Sequence, residues 1–281
     1  MYNENNLMEL NAKFQLPAID TEVEFSNEDL ADEMDGLRLN FQRIKIPGSG
    51  ALQFELPGDD PENPDYTKSI EGVILYNHAA FSYWAEDSQD DEDAVPLCSS
   101  VDGKLGIGEP GGDCYTCALN KFGSSENGKG KACKNTRVLY LLRDGEYMPI
   151  QIALPPTSLK PFNDFYNVAF ASRRRATCGS VVSIGLKRMN NGKDDYSVAT
   201  FKKLFDFTGE QLAQAKAYAK SFKEQIMAMN QQRAVEAMNR TDDEYGDGDY
   251  GVMDDSYNEG NGFSVSSPDA YIDGDRERLP A

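Results

Sequence analysis

Between residues 36 and 205 the chain is a series of short apolar runs punctuated by Gly, Pro, Asn and Asp. Leu39–Ile46 alternates apolar and polar positions, Pro47-Gly48-Ser49-Gly50 breaks it, and Ala51–Leu56 resumes it. A period of two bounded by turn residues predicts strands. Ser69–Ala80, with Ile70, Val73, Ile74, Leu75 and Tyr76, is the strongest strand pattern, and Phe81, Tyr83 and Trp84 cluster just after it. Thr136–Arg143 and Glu146–Leu154 flank Asp144-Gly145, which is the chemistry of a two-residue hairpin turn. Ser180–Arg188 and Tyr196–Leu204 form a second hairpin around Asn190-Asn191-Gly192.

Helical spacing occurs at Ser158–Ala171, where Leu159, Phe162, Phe165, Tyr166 and Ala169 share a face. It returns from about Gly209 to Arg240, with Leu212, Ala215, Ala219, Phe222, Ile226 and Met229 on one stripe, and Thr208 and Gln211 suit a capping box. A short helix is expected near Asn27–Met34. Together these predict a mainly β protein with flanking helices, and its hairpin-rich order suits a Greek-key barrel of the oligonucleotide-binding type (OB-fold). An unrelated α+β sheet is the competing architecture.

Cys98, Cys114, Cys117 and Cys133 interrupt this pattern, placing four of the five cysteines in one stretch. Cys114-Tyr115-Thr116-Cys117 has the spacing of a metal knuckle, and four thiolates satisfy tetrahedral zinc. The loops between them are rich in Gly and Lys and poor in apolar residues, so a bound metal would supply folding energy the segment lacks. The expectation is a structural Zn2+ module over about residues 96–135, inserted between strand pairs. His78, the only histidine, is an alternative to Cys98 as a ligand. Cys178 reads as a buried thiol. Disulfides and a redox C-x-x-C are less fitting. The start, Met1-Tyr2-Asn3-Glu4-Asn5-Asn6, has no basic or apolar leader character, and no apolar run reaches membrane-span length, so a cytoplasmic setting is expected.

Net charge is −19, but it is unevenly spread. Residues 1–95 hold 5 basic and 22 acidic residues, an acidic arm over 1–35 continuing into the sheet region. Residues 96–205 hold 16 basic and 9 acidic, and residues 241–281 hold 2 basic and 12 acidic. A basic middle between acidic ends points to a polyanionic partner. The final segment, Asp-, Gly- and Ser-rich with Tyr245, Tyr250, Tyr257, Phe263 and Tyr271, has no period and is expected to be a disordered acidic tail.

The strand-rich core, inserted cysteine knuckle, basic middle, clustered aromatics and acidic end resemble the single-stranded DNA-binding proteins of tailed phages and mobile elements. The likeness spans roughly residues 36–205 and the tail. Pro96-Leu97-Cys98-Ser99-Ser100, Lys131-Ala132-Cys133-Lys134 and Leu154-Pro155-Pro156-Thr157-Ser158-Leu159-Lys160 are also similar to proteins of phage replication modules. The resemblance implies a non-enzymatic protein that coats single-stranded DNA during replication or recombination. Its tail would compete with DNA for the groove and recruit replication or recombination proteins.

Binding single strands needs cations for phosphates and rings for bases. The residues expected in that role are Phe41, Arg43, Lys45, Tyr76, Tyr83, Trp84, Arg137, Tyr140, Arg173, Arg174, Arg175, Lys187 and Arg188. Two other readings compete: an acidic anti-defence DNA mimic, and a zinc-ribbon adaptor for a replication or transcription protein. Gly123–Lys129 matches the start of a phosphate-binding loop, but Gly130 stands where a Ser or Thr should hold magnesium. The acidic runs Glu86–Asp93 and Asp242–Glu244 read as solvated loops.

Overall fold

The computed structural model describes residues 14–16, 41–58, 63–84, 96–126 and 128–243, with side chains as far as residue 231. The expected helix at 27–34, most of the acidic arm, the run 86–93 and the tail beyond residue 243 lie outside the described residues.

Among the described residues the chain is mainly β, with a mixed sheet, a separate two-stranded sheet and two α-helices. In order the strands are β1 (Arg43–Lys45), β2 (Phe54–Leu56), β3 (Asp65–Thr67), β4 (Ser69–Tyr83), β5 (Cys98–Ser100), β6 (Leu105–Gly108), β7 (Gly112–Asp113), β8 (Lys134–Leu142) and β9 (Ile150–Leu154). Helix α1 (Pro156–Ala169) follows, then β10 (Ser180–Asn190), β11 (Asp195–Asp206) and α2 (Gly209–Asp243).

The long β4 organises the sheet. One edge pairs antiparallel with β8, which pairs with β9, which runs parallel to β1. The other edge is shared: Ser69–Val73 pair with β10, and Phe81–Tyr83 pair with β5. Strand β10 continues to β11, and β5 continues through β6 to β7. The cysteine segment is therefore grown from one end of β4, and the β10–β11 hairpin from the other.

Alternation splits β4 and β8 into two apolar faces. Ile70, Ile74, Leu139 and Leu141 pack with Ile150, Ile152 and Leu154 of β9, Val182 and Ile184 of β10, and Phe162 of α1. Val73, Leu75, Val138, Tyr140 and Leu142 face α2, which buries Ala215, Tyr218, Ala219, Phe222 and Ile226 at helical spacing. The apolar stripe expected on this helix is the one it buries, with Leu212 and Met229 at its margins.

Two details bend the sheet. Pairing of β4 with β8 slips between Ile74 and Tyr76, a β-bulge that turns the strand. The buried Thr177 hydroxyl donates to the Ile74 carbonyl at 2.8 Å beside this slip. At Gly72 a Cβ would stand 2.4 Å from the Leu142 carbonyl oxygen, so only glycine permits this close crossing.

The expected Greek-key barrel is not closed by strand pairing: among the described strands nothing joins β1 or β9 to β11, and the sheet stays open. Side chains bridge part of the gap. Arg188 Nε donates to the Gly50 carbonyl (2.8 Å) and Ser197 Oγ to the Ala51 carbonyl (2.6 Å).

Several boundaries differ from the sequence pattern, the strands near Arg43 and Phe54 being shorter and the strand from Ser69 longer than expected. Helix α1 starts at Pro156 because a proline at the first helical position loses no hydrogen bond there. Strand β9 starts at Ile150, since residues 143–149 form a longer loop than the Asp144-Gly145 pair suggests. The N-terminal segment holds that loop, with Gln15 N donating to Asp144 Oδ1 (2.6 Å) and Gly145 N to the Gln15 carbonyl (3.3 Å). Helix α2 continues to Asp243, past the expected start of the tail. No described helix is long and apolar enough to cross a membrane.

Candidate thiol cavity and nucleic-acid cleft

Cys98 opens β5, Cys114 follows β7, Cys117 caps the 3-10 turn Ala118–Asn120, and Cys133 directly precedes β8. Backbone hydrogen bonds fix these positions: Cys114 N to the Lys104 carbonyl (2.8 Å), Cys117 N to Asp113 (3.1 Å) and Cys133 N to Leu119 (3.0 Å). Asn120 Nδ2 donates to the Cys114 carbonyl at 2.6 Å. The four thiols line one cavity of about 10 Å³, with Gly106, Pro110, Leu119 and Tyr83 completing its wall. That is room for a single atom-sized guest.

All five cysteines are free thiols. Burial, with the neighbouring Cys114, Cys98 and Cys117 adding to it and Lys131 opposing, pushes the Cys133 thiol up to about 11. Burial also raises Cys114, with Cys98, Cys117 and Asp102 adding to the effect and a Ser100 hydrogen bond opposing it. Four thiols so close resist ionising together unless a cation joins them. Among the described residues no group of three or more His, Cys, Asp or Glu side chains already stands in a metal-holding arrangement.

His78 takes no part in lining it. Its Nδ1 is 2.9 Å from the Ala79 carbonyl, its Nε2 3.4 Å from the Tyr140 hydroxyl, and its ring centre lies 5.6 Å from that of Tyr76 and 5.8 Å from that of Tyr140. The phosphate-loop match fails structurally, since its described residues run from the 3-10 turn toward β8 and join no strand to a helix. Gly123 N instead donates to the Gly130 carbonyl (2.8 Å), closing a compact loop.

A second, far larger cleft of about 650 Å³ opens between β4, β8 and α1. Asn77, Ala79 and Phe81 line it from β4, Asn135, Thr136 and Arg137 from β8, and Leu159, Phe162, Asn163 and Tyr166 from α1. Arg137 is the cation of its lining. Its Nε donates to Asn77 Oδ1 (2.6 Å), and its guanidinium lies 5.7 Å from the centre of the Phe162 ring. Burial lowers its pKa, but an arginine pulled down from 12.5 still carries its charge near neutrality.

The residues expected to touch nucleic acid divide sharply. Arg137 lies in the cleft, and Tyr76 lines it while stacking on His78 and Tyr140 on the α2 side. Tyr140 is 2% exposed and Phe41 packs edge-on against it and Phe222, so both rings belong to the core under α2. Arg175 is structural: its Nη2 donates to the carbonyls of Phe207 (2.8 Å) and Gly179 (3.1 Å), and its Nε lies 3.5 Å from Asp206. Arg188 is tied to Gly50, and Arg43 Nε donates to Gln151 Oε1 at 3.1 Å. Tyr83 faces the thiol cavity, and Trp84 Nε1 donates to Ser82 Oγ. Lys45, Arg173, Arg174 and Lys187 are exposed and lie outside the cleft lining.

Phe81, Asn77, Asn163 and Tyr166 line the cleft, although none is among the residues expected to touch nucleic acid. The signal for the β4 pair was the alternation Asn77, Ala79, Phe81, which places them on one side of the strand. Tyr166 reads as a core residue by helical spacing, yet it is 37% exposed. No family model, curated protein or solved structure matches the chain.

Proposed function

We propose that this protein binds single-stranded DNA without sequence preference, using the cleft between β4, β8 and α1. The observation that carries the reading is Arg137, a cation held between Asn77 and the Phe162 ring in a cleft with Phe81 and Tyr166. A guanidinium for phosphates beside rings and amides for bases is the chemistry of single-strand binding. The 650 Å³ cleft is wide enough for unstacked bases and offers no series of carboxylates to repel phosphates.

The strand order supports an OB-type reading of the core. Strands β4, β8 and β9 are successive antiparallel neighbours, and β10 returns beside β4, giving the spatial order fourth-first-second-third of a Greek key. The OB-fold is a five-stranded, partly open Greek-key barrel, and β4, β8, β9, β10 and β11 would be its strands.

The same reading assigns Cys98, Cys114, Cys117 and Cys133 to a structural zinc. Support comes from the atom-sized cavity they line and from the soft donor set. Bound there, zinc would replace the apolar core the module lacks and hold β5–β7 against the start of β8. The acidic C-terminal segment would then act as a tethered competitor for the cleft and a recruiting element for replication or recombination proteins.

The test is fluorescence anisotropy of labelled oligothymidylate, oligouridylate and duplex DNA, titrated with native protein and with Arg137→Gln. Preference for oligothymidylate over duplex, weakening with added salt, is expected. Arg137→Gln should lose about tenfold in affinity with an unchanged unfolding midpoint. Absence of single-strand binding by the native protein overturns the proposal, and tighter oligouridylate binding redirects it to RNA.

A further inference from the structure

The cysteine segment carries an aromatic ring that a zinc staple does not need. Phe122 is 83% exposed and follows Lys121, the residue that closes the 3-10 turn Cys117 caps. The exposed phenyl offers a flat apolar face to a stacking partner. Its surroundings are built, not random. Lys131 Nζ lies 5.4 Å from the ring centre, backing the ring with a cation. That ammonium is held in place by Asn120 Oδ1 at 2.9 Å.

This cluster is joined to the cleft. Asn135 lines the cleft from β8. With its amide turned so that the nitrogen donates to the Cys133 carbonyl (2.9 Å), its oxygen accepts from Lys131 Nζ (3.3 Å). The sequence of contacts runs from the cleft wall at Asn135, through Lys131, to the Phe122 ring. Asn120 also ties this cluster to the thiol cavity through the Cys114 carbonyl, so the ring sits on a fixed platform.

Resting on the single-strand reading above, we infer that Phe122 is a second base-stacking site, reached by a strand that leaves the cleft past Asn135 and Lys131. Lys131 backs the ring and offers its positive field to the phosphate between the two sites. The four-thiol module thereby serves as a contact arm that lengthens the binding site, besides stabilising the fold. The ligand chemistry is a flexible single strand with a base free to unstack, since a duplex cannot place a base on an isolated ring.

The experiment uses the full chain and oligothymidylates of graded length, comparing native protein with Phe122→Ala, Phe122→Tyr and Lys131→Met. Native affinity should step up once the oligonucleotide is long enough to leave the cleft. Phe122→Ala should lose about tenfold on long oligonucleotides and little on short ones, with Phe122→Tyr close to native. Lys131→Met should lose affinity on the same long oligonucleotides. Equal affinity of Phe122→Ala and native protein at every length overturns the inference while leaving the cleft reading intact. Equal loss at every length with a lowered unfolding midpoint overturns it in favour of a structural role. Failure of native protein to bind any length removes both readings together.

Discussion

Gly106 stands against Cys98: a methyl in its place would lie 2.9 Å from the Cys98 sulfur and 3.6 Å from that of Cys114. Glycine at this point of β6 lets two thiols enter the same cavity. Gly106→Ala should therefore hold the proposed zinc more weakly, releasing it faster to a chelator. Gly48→Ala is the matched control, because nothing lies within 4 Å of its added methyl. Elemental analysis and chelator-release kinetics on both variants check this. Indistinguishable release would remove Gly106 from the metal argument.

The Thr177 hydroxyl on the Ile74 carbonyl gives a stability prediction independent of any ligand. Thr177 is 7% exposed, so Thr177→Val leaves that carbonyl without this donor where water enters poorly. Loss of such a bond costs about 1–3 kcal/mol. Urea unfolding should show Thr177→Val destabilised by that amount and Thr177→Ser close to native. A valine variant as stable as native would mean the bulge satisfies itself otherwise.

Much of this arrangement is legible in the sequence, for identifiable reasons. The α2 stripe Ala215, Ala219, Phe222 and Ile226 is buried as its spacing requires, because one amphipathic helix meets one apolar face. The convergence of Cys98, Cys114, Cys117 and Cys133 on one cavity also matches their spacing. Site residues were less legible. An aromatic on a strand carries the same letter whether it faces α2, as Tyr140 does, or the cleft, as Phe81 does. The bulge after Ile74 decides which side is which, and it is set by tertiary contacts such as Thr177, a hundred residues away in sequence. The openness of the sheet depends likewise on long-range closure that no local pattern encodes.

His78 predicts a pH dependence. Burial lowers its pKa below 6.5, with the Arg137 charge in the same direction and the Ala79 and Val101 backbone and Asp102 opposing. The unfolded chain therefore takes up the proton first as pH falls. Stability is fully present above 6.5 and is lost as pH drops through the lower folded value. Urea midpoints between pH values of about 7.5 and 5.5 should fall in native protein and fall less in His78→Gln. A parallel decline in both would assign the acid sensitivity to other groups.

Arg173, Arg174 and Arg175 are adjacent in sequence and differ in task. Arg173 and Arg174 are exposed, and Arg174 takes the left-handed conformation (φ 50) that ends the turn after α1. Arg175 folds back onto the start of β10 and the end of β11, donating to Gly179 and Phe207 and facing Asp206. Burial pushes the Asp206 carboxyl up, but hydrogen bonds from Lys203 and Ser180 and the charges of Lys203 and Arg175 outweigh it and hold its pKa down. Arg175→Gln should accordingly destabilise by about 1–2 kcal/mol, since two carbonyls lose a donor. Arg173→Gln should leave the unfolding free energy within about 0.5 kcal/mol of native, as exposed substitutions do. If Arg173 also meets the phosphate backbone, its variant lowers the salt slope of single-strand binding at unchanged stability. Urea titrations and salt-dependent anisotropy on the two variants separate these roles. Equal stability of both would show that the Arg175 contacts contribute no net free energy, and would return it to the exposed basic surface with its neighbours.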